Sequence, residues 1–311
     1  MRVARRNFAV VAAGLCGFCC GCGTKPLPFA AAAIPPPPPF EFAGAWGARG
    51  TGPGQFGAPV ALATDTIGNV YVADAGSASV HKFSQLGEPR LSFEDDRAVL
   101  HPVSIAVDEG GAIYVADERR GSVIIYKPDG SHFREVRLAL PSAAARSSLR
   151  VAIDVDGNIV VAARKPFGLR KYTWRGRPAT TWKNAAAGGA GLDEPSGVAA
   201  NAGLIYVSDA ANGAIRVYQH DGTLVRTLMA PGERPALGAI AVGHQWVVAT
   251  DERAHALHVW SVDGGYRLRE DLSAWISGSE PSPLGVAFAP GNECLVLDAP
   301  AARILRFRLH L

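Results

Sequence analysis

PVALATDTIGNVYVADAGSASVHKF, residues 59–83, is the stretch of sequence that decides the fold of this chain. A short apolar segment ends at Asp65, a turn follows at Gly68, a second segment reads VYVAD, and a third ends at Phe83. Short runs rich in apolar and β-branched residues, separated by glycine turns, are typical of β-strands joined as hairpins. The same sequence pattern occurs six times between residues 59 and 307, so the sequence predicts an all-β architecture built of equal units.

The six copies align on the residue that closes the second strand of each. Successive copies are 42 to 47 residues apart at this position, as the repetition of one structural unit requires. The closing residues are Asp74, Asp117, Ala163, Asp209, Asp251 and Asp298. Each third strand ends on an aromatic residue, which suits a pleated, half-buried surface. The third copy departs most from the pattern, because Ala163 replaces the acid.

The repeated pattern resembles the NHL repeat, and residues 194–218, EPSGVAANAGLIYVSDAANGAIRVY, match it best. Residues 50–56, GTGPGQF, look like the glycine-rich loop that precedes a repeat in that family. The resemblance covers about residues 40–311 and implies one domain, an all-β six-bladed β-propeller of four-stranded antiparallel blades. Because such a fold hosts many functions, the resemblance does not by itself indicate one.

The last copy of the repeat is incomplete. It ends at Leu311 after its third strand, so the sixth blade lacks a fourth strand. Residues 40–46, FEFAGAW, precede the first copy and alternate apolar residues with small or polar ones. An open blade would leave backbone groups unpaired and invite aggregation. We therefore predict that residues 40–46 supply the missing strand and close the ring.

The first 21 residues have the composition of an export signal peptide. Arg2, Arg5 and Arg6 precede a modestly apolar run over residues 8–20, which is too short to span a bilayer comfortably. Residues 5–8, RRNF, resemble the twin-arginine export signature, and general export stays open as the alternative. The sequence therefore predicts that residues 1–21 direct export.

A cysteine cluster ends this apolar run, and its members are Cys16, Cys19, Cys20 and Cys22. Cys22 and the following Gly23 resemble a bacterial lipoprotein cleavage site, which implies a lipid on Cys22. Ordinary signal-peptidase cleavage near residues 31–33 and a cysteine metal cluster are the alternatives. Residues 22–39 end in consecutive prolines and are predicted to form a stiff, extended tether. We expect an exported, membrane-anchored lipoprotein in the periplasm or at the cell surface.

The net charge of the chain comes from the export signal. Removing residues 1–21 takes away three arginines, so Lys plus Arg falls from 31 to 28 and equals the 28 Asp plus Glu. A near-neutral mature chain gives no argument from composition for a nucleic-acid partner. The expected partners are an envelope protein, a peptide or a polysaccharide, together with the membrane through the lipid anchor.

The repeated acids and the histidines are candidates for metal binding. A carboxylate that follows a strand can instead accept backbone N–H groups and hold a turn, and we assign the repeated acids this structural role. Propeller lyases related to this repeat family hold zinc through histidines from several blades, and such a site needs three convergent ligands. His101 lies near the predicted channel mouth, but the matching positions of the other copies hold no second histidine. We therefore predict no metal site and no cofactor.

The loops that join second to third strands should share one face with the loops that lead into first strands, and in related propellers that face carries the binding site. The candidate binding residues on it are Glu118, Arg119, Arg120, Arg164, Lys165, Phe167, Asn212, Glu252, Arg253 and His255. Mixed charge around a ring suits a protein or peptide partner, and the set contains no nucleophile with a base and an oxyanion donor. We therefore expect a binding scaffold of the cell envelope without catalytic residues. The alternative is a propeller lyase or hydrolase that uses a metal in the central channel.

Blade three also carries basic residues among aromatic ones, including Arg170, Lys171, Arg175 and Trp174. Such a mixture can bind an anionic surface or glycan. It is also the ordinary appearance of a solvated face over core aromatics, and both interpretations stay open.

Overall fold

β-Strands make up nearly all regular structure in the computed structural model, which describes residues 39–98, 100–138, 149–163, 168–179, 192–232, 234–276 and 280–310. The strands are β1 (Phe40–Trp46), β2 (Ala48–Arg49), β3 (Gln55–Phe56), β4 (Pro59–Thr64), β5 (Val70–Asp74), β6 (Ser79–Phe83), β7 (Pro89–Glu94), β8 (Pro102–Val107), β9 (Ile113–Asp117), β10 (Ser122–Tyr126), β11 (His132–Arg137), β12 (Arg150–Ile153), β13 (Ile159–Ala163), β14 (Gly168–Tyr172), β15 (Pro195–Asn201), β16 (Leu204–Asp209), β17 (Ala214–Gln219), β18 (Leu224–Met229), β19 (Leu237–Val242), β20 (Trp246–Asp251), β21 (Ala256–Ser261), β22 (Tyr266–Asp271), β23 (Pro283–Ala289), β24 (Glu293–Asp298) and β25 (Arg303–Leu309). A short 3-10 helix spans Leu272–Ala274. Within the described ranges, no helix has the length and apolar character needed to cross a membrane.

Six antiparallel sheets form the blades of a β-propeller. Blades one, two, four and five are β4–β7, β8–β11, β15–β18 and β19–β22, with four strands each. Blade three consists of β12–β14, followed by an isolated bridge between Tyr172 and Pro178. Blade six joins β23–β25 to β1, and the short parallel pair β2–β3 flanks the glycine-rich loop. The predicted all-β, six-bladed propeller is confirmed.

Blade six is completed by the start of the propeller sequence. β1 pairs antiparallel with β25, with Phe40 opposite Leu309 and Trp46 opposite Ile304. The order β1-β25-β24-β23 makes β1 the outermost strand of this blade. The prediction that residues 40–46 close the ring is therefore confirmed, with the same bounds.

The burial of each strand follows from its place in the blade. The second strands, such as β5 (VYVAD) and β9 (IYVAD), are buried at every residue because both faces pack against neighbouring blades. Strands buried on both faces are expected to be continuously apolar, and these are apolar up to the closing acid. Outermost strands such as β22 alternate half-buried and exposed residues, as expected where one face meets water.

The hydrophobic core is divided into six clusters, each between two neighbouring blades. Between blades five and six, for example, Leu257 of β21 and Val296 of β24 belong to one cluster with Phe307 of β25. Because every blade takes part in two clusters, each blade is held on both faces. The ring positions the loops at its two ends through this packing.

Candidate functional site

We call the end of the propeller at which first strands begin and second strands end the upper face. The strand register defines it, because Pro59 pairs with Asp74, Pro102 with Asp117 and Pro195 with Asp209. The loops between second and third strands therefore lie beside the loops that lead into first strands, as the sequence predicted. The opposite end, at which first strands end, is called the lower face.

The closing acids hold the loops of the upper face through hydrogen bonds. Asp74 accepts the backbone N–H groups of Gly57 and Ala58 at 2.7 Å and of Gly76 at 2.8 Å. The equivalent bonds run to Asp117 from His101 at 2.8 Å, to Asp209 from Glu194 at 3.0 Å, to Asp251 from Ala254 at 3.0 Å and to Asp298 from Ser282 at 3.1 Å. The structural role predicted for these carboxylates is confirmed. These hydrogen bonds hold the backbone of the described upper-face loops in place.

The electrostatics of these acids agree with that role. Burial alone would raise the pKa of Asp251, but His258, whose Nε2 lies 3.6 Å from the carboxylate, and the backbone N–H groups more than offset it, so the pKa lies below its ordinary value. The same balance holds for Asp74, where burial is opposed by His81 and three backbone N–H groups. Both carboxylates are therefore ionised at neutral pH.

Three of the predicted binding residues are exposed on the upper face: Arg119, Glu252 and Arg253. The guanidinium Nη1 of Arg119 lies 3.1 Å from His101 Nε2, next to the start of β8. Glu252 Oε1 accepts a hydrogen bond of 3.0 Å from the Ser282 hydroxyl. The exposed charges are thus mixed in sign and stand on loops whose backbone is fixed.

The other described candidates serve mainly to hold loops. Arg120 forms an ion pair of 2.6 Å with Asp95 and donates to the Ala98 carbonyl at 2.8 Å. The Asn212 amide donates to Asp209 at 2.7 Å. His255 has a positive φ of 51° in its turn, and its Nδ1 lies 2.6 Å from the Pro281 carbonyl oxygen.

Several predicted positions cannot be placed, because they fall outside the described residues. Among the binding candidates these are Arg164, Lys165 and Phe167, while Glu118 is described and is half-buried. The lipidation candidate Cys22 and the export signal, residues 1–21, also lie outside the described part of the chain.

The central channel is narrow. Its void is about 100 Å³ and is bounded by the innermost strands of all six blades. Most residues described around it are apolar or glycine, and Arg150 brings a charge whose Nε donates to the Ser196 carbonyl at 2.7 Å. Ligand pockets usually measure roughly 300–1,000 Å³, so the channel is too small to hold a substrate of drug size.

A larger cavity of about 360 Å³ opens on the lower face and was not predicted from the sequence. It is lined by the turns after the first strands of blades one to four, which bring Asp65, Asp108 and Asp154 to its wall. Asp65 accepts the Asn69 N–H at 2.8 Å and the Tyr71 hydroxyl at 3.0 Å. These acids hold their own turns, and the sequence signal for them is the Asp that follows the first strand of blades one, two and three.

The described residues do not fit a histidine-held metal site in the channel. Across the described ranges, no group of three or more His, Cys, Asp or Glu side chains is placed to hold a metal ion. His101, the candidate at the channel mouth, contacts the cation of Arg119 instead of a second ligand. The described residues therefore offer no donor set for the channel zinc considered from the sequence.

Blade three combines a buried ion pair with an exposed aromatic pair. Lys171 Nζ lies 2.7 Å from Asp154 Oδ2, and both side chains are almost fully buried. Trp174 is exposed, stacks near Phe133 of β11 with ring centroids 6.3 Å apart, and lies within 5.2 Å of the Arg134 guanidinium. Arg175 of blade three is exposed, and its guanidinium lies 4.7 Å from the Trp174 ring centroid. The basic residues of this blade are therefore divided between the core and the surface.

The fold places the chain in the class of six-bladed β-propellers. Solved structures of this class are similar to it. A catalytically inactive virginiamycin B lyase from Staphylococcus aureus, solved with quinupristin, is 14% identical with a TM-score of 0.61, covering 84% of this chain and 82% of that one. A streptogramin B lyase is 13% identical with a TM-score of 0.62, covering 87% and 98%.

Two further solved structures are also similar to the chain. The Swd1 β-propeller domain of Myceliophteria thermophila is 11% identical with a TM-score of 0.62, covering 87% of this chain and all of that one. A chain of the nidogen–laminin complex is 17% identical with a TM-score of 0.56, covering 68% and 79%. No protein-family model and no curated protein sequence matches the chain. At these identities the similarity establishes the fold alone.

Proposed function

We propose that this chain is an exported propeller, anchored to a membrane by a lipid on Cys22, that acts as a binding scaffold in the cell envelope. Its upper face presents mixed charges to a protein or peptide partner. The observation that carries the proposal is the set of exposed charges, Arg119, Glu252 and Arg253, on loops held by buried carboxylates.

A rigid charged surface suits specific binding for two physical reasons. Loops that are already ordered lose little conformational freedom when a partner docks, so less of the interaction energy is spent on ordering. Charges of both signs in fixed positions favour one complementary partner and penalise others. Arg119 and Arg253 are therefore expected to contribute to partner choice and association rate.

The narrow channel favours this proposal over the alternative of a lyase or hydrolase with a metal in the channel. A void of about 100 Å³ leaves little space for a substrate between the innermost strands. A chain of the nidogen–laminin complex shares the fold, which is consistent with a protein-binding role for such a ring.

Site-specific crosslinking in the native cell tests the upper face. A photo-crosslinking residue placed at 119 or 253 should capture the same envelope protein or peptide. The matched control is position 127, because Lys127 is exposed in the turn that follows β10, at the lower face. Capture at 127 as efficient as at 119 and 253 would show that the upper face is not the binding surface.

Charge reversal gives an independent measurement. Arg119→Glu and Arg253→Glu should reduce capture at a neighbouring crosslinking position, while the melting temperature stays within about 1–2 °C, because substitutions at exposed positions change stability little. Lys127→Glu, in the exposed lower-face turn after β10, should leave capture unchanged.

The anchor is tested separately through Cys22. Cys22→Ala should move the protein from the membrane fraction to the soluble fraction and remove the mass of the lipid from the N-terminal peptide. Unchanged fractionation would remove the lipid anchor from the proposal and leave the binding face to be judged on the crosslinking alone.

A further inference from the structure

His81, on the third strand of blade one, is surrounded by hydroxyl groups and one carboxylate. Its Nδ1 lies 3.0 Å from the Ser92 hydroxyl oxygen on the neighbouring strand β7. Its Nε2 lies 3.0 Å from the Ser79 hydroxyl oxygen, 3.3 Å from the Ser77 hydroxyl oxygen and 3.7 Å from Asp74 Oδ2. A serine, a histidine and an acid are thus placed in the order that nucleophilic catalysis uses.

The buried carboxylate favours a hydrogen on the ring nitrogen that faces it, Nε2. Burial alone would raise the pKa of Asp74, but His81 and the backbone N–H donors lower the pKa by more than burial raises it. Asp74 is therefore ionised and can only accept hydrogen bonds. The electrostatic attraction favours the hydrogen on Nε2, the nitrogen on the side of Asp74. The lone pair of Nδ1 then faces the Ser92 hydroxyl, which is the arrangement of a base next to a nucleophile.

Blade five supplies an internal comparison, because it has the same contact between an acid and a histidine. Asp251 Oδ2 lies 3.6 Å from His258 Nε2, at the matching position of the repeat. There, however, Nδ1 lies 3.1 Å from the Tyr266 hydroxyl, and the histidine side chain is only 4% exposed. The acid–histidine contact is therefore a structural feature of the repeat, and blade one differs by the exposed Ser92 opposite its histidine.

A cavity of about 390 Å³ lies against Ser92 and His81. The glycine-rich loop forms its other wall through Gly52 and Gly54, and Arg90 of β7 also borders it. The volume falls in the range of small-molecule sites, and Ser92 is exposed to solvent.

We propose that Ser92 and His81 form an acyl-transfer site for small carboxylic esters, with Asp74 as the residue that positions His81. The Ser92 oxygen attacks the carbonyl carbon, its proton passes to His81 Nδ1, and the carbonyl electron pair moves onto the oxygen. When that pair returns, the bond to the alkoxy group breaks and the leaving oxygen takes the proton from Nδ1. Water then attacks the acyl-serine by the same route, which releases the acid and restores Ser92.

The site is separate from the proposed binding face, since its nucleophile lies on the outermost strand of blade one. The proposed reaction needs no metal. The glycine-rich loop limits the size of the acyl group, so short esters are the expected substrate class.

Covalent labelling tests the nucleophile directly. The purified protein is treated with a small alkyl fluorophosphonate, and the modified residue is identified by peptide mass spectrometry. We expect modification of Ser92 and its loss in Ser92→Ala. Absence of a label, or a label on Ser77 or Ser79 in place of Ser92, would overturn the assignment. This measurement uses the native chain and does not depend on the folding of a variant.

Ester hydrolysis tests the base. The rate of p-nitrophenyl acetate hydrolysis should fall by about 100-fold or more in Ser92→Ala and in His81→Gln, the range expected when a general base is lost. His258→Gln is the matched control, because it removes the same type of contact with Asp251 and leaves the blade-one site intact. Equal rates in the native protein and in Ser92→Ala would refute the proposal. A loss in His258→Gln as large as in His81→Gln would also refute it, since the effect would then be structural.

Discussion

Closure of the ring by β1 makes a quantitative prediction for Phe40. Its side chain is fully buried, and its ring lies 6.0 Å from that of Phe307 in an edge-on arrangement. It belongs to the core cluster between blades five and six, together with Leu309 and Leu257. Phe40→Ala therefore removes a whole aromatic side chain from the cluster that joins the two ends of the chain.

The expected loss of stability follows from this burial. Replacing a buried phenylalanine by alanine costs about 3–5 kcal/mol, because apolar contacts are lost and a cavity remains. For a domain of this size the melting temperature falls by roughly 2 °C per kcal/mol, so we expect a decrease of about 6–10 °C.

Urea unfolding followed by intrinsic fluorescence, together with calorimetry, measures the effect. Glu41→Ala is the matched control, since Glu41 lies next to Phe40 on the same strand but is about half exposed and pairs with His310 at 2.8 Å at the surface. Because this pair is exposed to solvent and screened by it, Glu41→Ala should change stability little. A midpoint for Phe40→Ala no lower than that for Glu41→Ala would contradict the conclusion that β1 closes and stabilises the ring.

Two further predictions concern buried charges. Lys171→Met should destabilise the protein by about 3–5 kcal/mol in urea unfolding, because it leaves Asp154 buried without the ammonium 2.7 Å away, and adding Asp154→Leu should recover part of the loss. No recovery in the double variant would contradict this explanation. Burial alone would raise the pKa of Glu293, but Arg306 and Gln85 more than offset it and hold the pKa below its ordinary value. Glu293 therefore stabilises the fold above about pH 4, and this contribution is lost as the pH falls through the lowered folded-state pKa. Glu293→Gln should be less stable at pH 7 and lose less stability on acidification, so that the two curves of unfolding free energy converge at low pH; parallel curves would contradict this.

The fold could be predicted from the sequence because the pattern of each repeat marks the boundaries of its own strands. The acid that closes a second strand, as at Asp209, coincides with the last residue of β16, and the strand 40–46 appears with the predicted bounds. These features depend on local pattern and on the need to pair every sheet edge, and both are visible in one sequence.

The candidate site was less accessible to sequence reasoning. Arg120 and Asn212 looked like surface ligands, yet each bonds a nearby acid and holds a loop, because polar residues near a strand end can satisfy the backbone as readily as they can bind a partner. The meeting of His81 and Ser92 depends on the pairing of β6 with β7, which contains a bulge at Lys82 and Phe83. A one-residue change in register would place Ser92 on the other side of the sheet, and the sequence alone does not specify the register.

The backbone N–H of His310 donates to the Pro39 carbonyl at 3.0 Å, so the two ends of the described propeller are a single hydrogen bond apart. A short peptide linker between them and a cut in the turn after β17, where His220 and Thr223 are exposed, would give a circular permutant that starts in the fourth blade. All described strand pairings would survive in it, since the permutant keeps the same cyclic order of strands around the ring.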